Sequence, residues 1–241
     1  MVTSVSSDDV RVREVVTPDG RFVRSFDYFG SGVEIREGPQ AFLVEQQPNI
    51  TLRPHFHRVD QFQVVVAGGG KLGKEDLHPI DIHYSDAFTP YGPILAGAQG
   101  ISFFTLRLVS DLGAQYMPES RAKLERKAGR SFAIKVDVHK KGELSKDQAA
   151  RLDTLLELHE DGLAVFLLSL GPLALAAGAE LNRATGCGQY YLVAKGSVRL
   201  GDREYAANSC AFLPPREAPP GWVGGPHGGE VLVLQFPREA G

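Results

Sequence analysis

An all-β fold of two tandem jelly-roll barrels (double-stranded β-helices), joined by a short helical connector, is what this sequence predicts. Three observations carry it. Short apolar runs alternate with turn residues along the 241-residue chain, with 27 glycines and 15 prolines scattered between them, the punctuation expected of many short strands. The chain also repeats itself: the runs 61–68 and 71–73 return as 189–196 and 199–201 at a constant offset of 128, and 85–90 returns as 209–214 at an offset of 124. Each copy then closes on a further apolar strand, 101–109 in the first and 230–236 in the second. A duplicated all-strand unit of this length fits two jelly rolls, whose packed sheets cover most of their edges.

In chain order, residues 1–110 form the first barrel, 111–160 the connector and 161–241 the second barrel. The first copy carries four extra residues near Leu77, His78 and Pro79. In the connector, 118–128 is charged and begins with Pro118, which suits the first turn of a short exposed helix. Ser145 and Gln148 then read as a capping box, and Ala149, Leu152, Leu155 and Leu156 recur at helical spacing, so a helix is expected over 145–159. Arg121, Lys123, Arg126 and Lys127 alternate with Glu119 and Glu125, the pattern of a solvated helix face.

Composition bounds the function. A hydrophobic content of 43% supports one large core or two modest ones. A net charge of −3 and a pI near 6.2 give no electrostatic case for nucleic acid or an anionic membrane. No apolar run reaches the roughly 18 residues needed to cross a bilayer, and the polar, acidic segment 1–9 does not read as a signal peptide. A cytoplasmic location is therefore expected, with Cys187 and Cys210 reduced.

The chemistry concentrates in the first copy, where Arg53, Pro54, His55, Phe56, His57 and Arg58 precede the long run from Gln61. Two histidines one residue apart on a strand share a face, so His55 and His57 can converge on one ion with imidazole nitrogens at about 2.0–2.1 Å. Gln61 offers a neutral oxygen as a third ligand. His83, in an alternating run with Ile82 and Tyr84, faces either the barrel interior beside His55 or the surface. Arg53 is placed to hold a carboxylate bidentately, or else pairs with a surface acid. Phe62 and Phe104 are expected to line the pocket. His227, among the glycines of 224–229, reads as a loop residue.

The spacing of Asn49, His55, His57, Gln61 and Gly68 resembles the first signature of the cupin superfamily, with Asn49 in a glycine position and Gln61 in the glutamate position. Pro90, Tyr91 and Gly92 resemble the Pro-x-Gly turn of the second signature, but Leu95 stands where that signature has histidine and Gln99 where it has asparagine. In the second copy the ligand positions are Arg183, Thr185, Gln189 and Pro219. The whole looks like a bicupin with a degenerate second barrel. That resemblance implies a divalent transition metal (iron, nickel, zinc or manganese) on His55, His57, Gln61 and His83, held sub-stoichiometrically or not at all. It places Tyr91 at the pocket mouth, and it implies a homodimer. Two functions follow: a dioxygenase-type oxidoreductase acting on a small anionic or aromatic substrate, or a metal-poor barrel that binds a small molecule without turnover. General-base chemistry by His55 or His57 is a third, which no residue favours specifically.

Overall fold

The computed structural model describes residues 2–16, 20, 22–30, 37–111, 113–125, 129–136, 144, 149–176 and 186–238. Among them every regular element is a strand, save single 3-10 turns at Ser7–Asp9 and Arg121–Lys123. The all-β expectation holds. By internal contacts the chain forms two compact units, Arg11–Val136 and Asp137–Gly241, the latter joined by Met1–Val10.

The chain opens with β1 (Thr3–Val5). The first unit then holds β2 (Arg11–Val16), β3 (Phe22–Phe29), β4 (Gln40–Gln46), β5 (Thr51–Leu52), β6 (His55–Phe56), β7 (Gln61–Leu72), β8 (Glu75–Leu77), β9 (Ile82–Ser85), β10 (Ile94–Arg107), β11 (Gln115–Tyr116) and β12 (Ser131–Ile134). Nine of them form one antiparallel sheet in the order β12-β9-β7-β10-β4-β3-β2, with β8 added to the end of β7 and β5 to the start of β10, while β6 and β11 pair with each other. Register shifts within the β7–β10 pair let these long strands bend and change partners along their length. Gly68 is required there: its φ is +68°, and a Cβ would lie 2.3 Å from the Gly100 carbonyl oxygen.

Alternation along β7 and β10 decides what faces the interior. Opposed pairs Gln63–Thr105 and Val65–Phe103 lie on one face; Phe62–Leu106 and Val64–Phe104 lie on the other. That second face is apolar and fully buried. Phe62 packs on Tyr84 with ring centroids 4.8 Å apart, and Phe104 on Tyr28 at 5.0 Å. Each such ring contributes about 2–3 kcal/mol by leaving water. The interior face instead carries polar side chains, which prepares the site.

The second unit comprises β13 (Ala150–Leu156), β14 (Ala164–Leu170), β15 (Leu175–Ala176), β16 (Gln189–Leu200), β17 (Arg203–Ala206), β18 (Cys210–Leu213) and β19 (Trp222–Gln235), in the order β1-β18-β16-β19-β14-β13 with β15 on β19 and β17 on β16. The repeat is real in three dimensions. Leu106 faces Phe62 in the first unit and Leu234 faces Tyr190 in the second, each pair shifted by 128 residues. Tyr191, Trp222, Tyr205 and Phe166 belong to its core, with the Tyr191 and Trp222 rings 5.3 Å apart.

Three expectations change. The helix over 145–159 is strand β13 from Ala150 to Leu156, hydrogen-bonded to β14; residues 145–148 lie outside the described residues. Ala150 and Leu152 pack against the core, while Arg151 and Asp153 pair with each other at 3.0 Å. Period two thus fits the segment as well as the helical spacing did, and the open edge of β14 supplies the hydrogen bonds. The exposed helix over 118–128 is a set of turns with one 3-10 turn, and 126–128 lie outside the described residues. The glycine run 224–229 is part of β19 rather than a loop, with His227 exposed on it.

Candidate functional site

The site is built on β6, where His55 and His57 flank Phe56. The strand period turns both imidazoles the same way, with ring centroids 5.3 Å apart and edge-to-face. Tyr91 ties the Pro-Tyr-Gly turn to this strand: His55 and Tyr91 exchange backbone hydrogen bonds of 3.1 and 3.0 Å. Its hydroxyl lies 2.9 Å from His55 Nε2 and accepts from the Gln61 amide at 2.5 Å. Because the amide donates, the phenol proton goes to His55 Nε2, and His55 Nδ1 donates to the Arg53 carbonyl at 2.8 Å. Burial pushes the Tyr91 pKa up, so the phenol stays protonated.

Arg107, at the end of β10, enters the same cluster and is 3% exposed. It donates through Nη1 to Gln40 Oε1 at 2.7 Å, and through Nη2 and Nε to Gln61 Oε1 at 2.9 and 3.2 Å. Its Nη2 also lies 3.0 and 3.2 Å from the two ring nitrogens of His57. An atom that near to both nitrogens sits over the ring rather than along either lone pair. On the ring edge, His57 Nδ1 donates to Asp111 Oδ2 at 2.5 Å, and the same oxygen accepts from the Gly113 N–H at 3.1 Å. Burial, then the Arg107 charge, pushes the His57 pKa down to about 4 against the opposing pull of Asp111, so the ring is neutral at neutral pH. Burial alone would raise Asp111, but the His57 hydrogen bond, the Arg107 charge and the Gly113 N–H hold its carboxyl below its ordinary value.

His57, Arg107 and Asp111 open onto a cavity of about 330 Å³. Apolar side chains, among them Val44, Leu52, Phe42 and Phe103, cover part of its wall, and Gln46 and Gln63 add amides. The volume falls at the lower end of small-molecule pockets.

The residues expected from the sequence separate into two groups. His55, His57, Gln61 and Tyr91 come together. His83 turns inward and is buried, but its ring bonds to Gln63 Oε1 at 3.1 Å and Ser131 Oγ at 3.0 Å. Its ring also packs on Tyr91 with centroids 4.7 Å apart, it lines a void of about 20 Å³, and it is neutral, burial having pushed its pKa down to about 4. Arg53 is exposed, paired with Glu119 at 2.8 Å and lying over Tyr116, and does not line the cavity. Phe62 and Phe104 are on the opposite face of their strands, because Gln63 and Thr105 beside them point inward; Phe103 lines the cavity instead. Arg107, Asp111, Gln40 and Gln46 are site residues that sequence reasoning missed. The repeat held one signal: position 107 is arginine where the second copy has Gln235.

A transition metal does not fit this donor set. His55 Nδ1 donates to the Arg53 carbonyl and its Nε2 accepts from the Tyr91 hydroxyl, while His57 Nδ1 donates to Asp111 and leaves Nε2 as the acceptor nitrogen. The Gln61 oxygen already accepts two bonds from Arg107. A divalent cation shared by His57 and Gln61 would therefore stand beside a buried guanidinium, with strong like-charge repulsion in a site of low dielectric. Among the described residues, no group of three or more His, Cys, Asp or Glu side chains is placed to hold a metal. Of the expected ligands, His55, His57 and Gln61 meet at Tyr91, and His83 lies against the same tyrosine ring while hydrogen-bonded to Gln63 and Ser131.

In the second unit the positions of Gln61 and Arg107 are both glutamines, Gln189 and Gln235. Gln189 donates to Gln235 Oε1 at 2.7 Å, Tyr191 donates to Gln189 Oε1 at 2.5 Å, and Gln235 donates to the Gly162 carbonyl at 2.5 Å. Arg183 and Thr185 lie outside the described residues.

No protein-family model and no curated protein sequence matches the chain. Solved structures do. A candidate dioxygenase from Nostoc punctiforme aligns over 100% of this chain and 84% of its own with a TM-score of 0.67 and 14% identity. A point mutant of Bacillus subtilis oxalate decarboxylase aligns over 98% of this chain and 78% of its own, with a TM-score of 0.62 and 13% identity. At such identities the likeness is one of fold: the chain has an all-β, jelly-roll architecture. Among the described residues no helix is long and apolar enough to cross a membrane.

Proposed function

We propose that the first unit is a small-molecule-binding barrel that works without a resident transition metal. The observation that carries this reading is the Arg107 guanidinium, which meets Gln61, Gln40 and His57 within 3.2 Å beside a cavity of about 330 Å³. Arginine stays charged at every accessible pH, so the barrel already contains one fixed cation. The bicupin resemblance and the Mn(II) centres of the B. subtilis oxalate decarboxylase favour a metal enzyme. Against them stand the Arg107 guanidinium beside His57 and Gln61 and the absence of a carboxylate at position 61. The second unit, with aromatic side chains in its core, serves a structural role in this reading.

The test is elemental analysis of protein purified without a metal-binding tag, before and after incubation with Mn(II), Fe(II), Ni(II) or Zn(II) and dialysis. The expected result is no stoichiometric metal, and small-molecule binding that is indifferent to chelator. One metal per chain in the wild type, lost in the double variant His55→Ala/His57→Ala, would return the dioxygenase reading to the front.

A further inference from the structure

We propose that the cavity of the first unit receives an uncharged molecule with an apolar body and a hydroxyl or amide donor, whose hydrogen bond Gln46 Oε1 accepts. The proposal rests on the small-molecule-binding reading above and narrows it to a ligand class. Three observations converge.

The first is an unanswered acceptor. Gln46, on β4, is 6% exposed and lies in the wall of the cavity of about 330 Å³. Among the described residues of the first unit, its Oε1 is the buried side-chain polar atom without a hydrogen-bond partner. Its neighbours across the strands, Val23 on β3 and Ile101 on β10, are apolar. Ser25, the next residue of β3 on the cavity wall, gives its hydroxyl proton to Asp27. Buried polar atoms are nearly always satisfied, so the donor comes from what enters the cavity.

The second is a comparison within the chain. Gln46 faces Ile101, and Leu170 faces Gly229, 128 residues beyond Ile101. The second copy thus places a leucine where the first has Gln46, and that leucine is buried in the core. The fold accepts an apolar side chain at this place in the sheet, so the amide serves something other than folding.

The third is the charge of the wall. Arg107 is engaged by Gln40, Gln61 and His57 and paired with Asp111, which lines the same cavity. Arg13 is held bidentately by Asp27. An ion entering the cavity meets charges that are already matched, and it loses its hydration without gaining a counter-charge. Near Gln46 the wall is apolar at Val23, Val44, Leu52 and Phe103, which suits an aliphatic or single-ring aromatic body.

Titration with benzyl alcohol, anisole, benzoate and benzylammonium, followed by amide chemical shifts of the isotope-labelled protein, tests this. Benzyl alcohol and anisole match in size, but anisole has no donor. Benzyl alcohol is expected to bind about three- to tenfold tighter than anisole, the range of one net hydrogen bond. It should also bind more than about tenfold tighter than either ion. In Gln46→Leu, which copies the second unit, the advantage over anisole should vanish while the melting temperature stays at or above the wild-type value. A markedly lower melting temperature, or failure to fold, would show that the fold itself uses the amide and overturns the assignment. Anisole binding as tightly as benzyl alcohol to the wild type overturns the pairing with Gln46, and tighter binding of either ion overturns the uncharged class. Both of those results leave the binding barrel standing. No binding by any probe at millimolar concentration overturns both readings.

Discussion

The buried pair of Arg107 and Asp111 gives the sharpest thermodynamic prediction. Their side chains are 4% and 1% exposed and 3.9 Å apart. At an effective dielectric of about 20, two unit charges at that distance attract by about 4 kcal/mol. Replacing Asp111 by Asn leaves the guanidinium buried without that counter-charge. Replacing Arg107 by Gln leaves the carboxylate in the same position. Each change is expected to cost about 3–5 kcal/mol, the range for breaking one side of a buried pair. The double variant removes both charges, and its amides can hydrogen-bond as Gln189 and Gln235 do. It should therefore lose far less than the sum, with a coupling energy of about 3 kcal/mol. Urea denaturation followed by circular dichroism, with hydrogen exchange of the β7 and β10 amides, measures the first unit. The single tryptophan, Trp222, reports on the second unit and serves as an internal reference. Additivity of the two substitutions within about 0.5 kcal/mol would refute the claim that these charges sense each other.

Further outcomes follow from the same geometry. Both His57 and His83 have folded pKa values near 4 against an ordinary 6.5, so the stability tied to their neutral forms is fully present above pH 6.5 and lost as the pH falls toward 4. The loss is about 3 kcal/mol per histidine, and a His57→Asn/His83→Gln variant should show a shallower fall over that window in urea titrations; an unchanged slope would contradict the burial argument. Phe62→Ala and Phe104→Ala should each destabilise by about 3–5 kcal/mol while leaving ligand affinity intact, whereas Phe103→Ala should weaken binding; equal effects on binding would mean the strand faces are misassigned. Gly68→Ala should destabilise by more than about 1 kcal/mol, as should Gly196→Ala, where φ is +66° and a Cβ would stand 2.4 Å from the Gly228 carbonyl oxygen; thermal melts decide both.

Local pattern and internal repetition determined much of this molecule. The offset of 128 residues alone predicts that β16 and β19 rebuild β7 and β10, because equal alternation forces equal register. Placing His55 and His57 on one face needed only the period of a strand, and the same rule applied to Gln61 and Gln63 would have turned Phe62 away from the pocket. Tertiary structure decided the rest. Ala150 to Leu156 fits helix or strand by spacing, and the unfilled edge of β14 chose strand. Whether His55 and His57 share a metal depended on what stands across from them. Tyr91 and Arg107 lie 30 and 46 residues beyond Gln61 in the chain, yet both meet it. Such a convergence of side chains from separate strands leaves no local signature, because what sets it is the pairing of β10 with β7 and the fold of the Pro-Tyr-Gly turn onto β6.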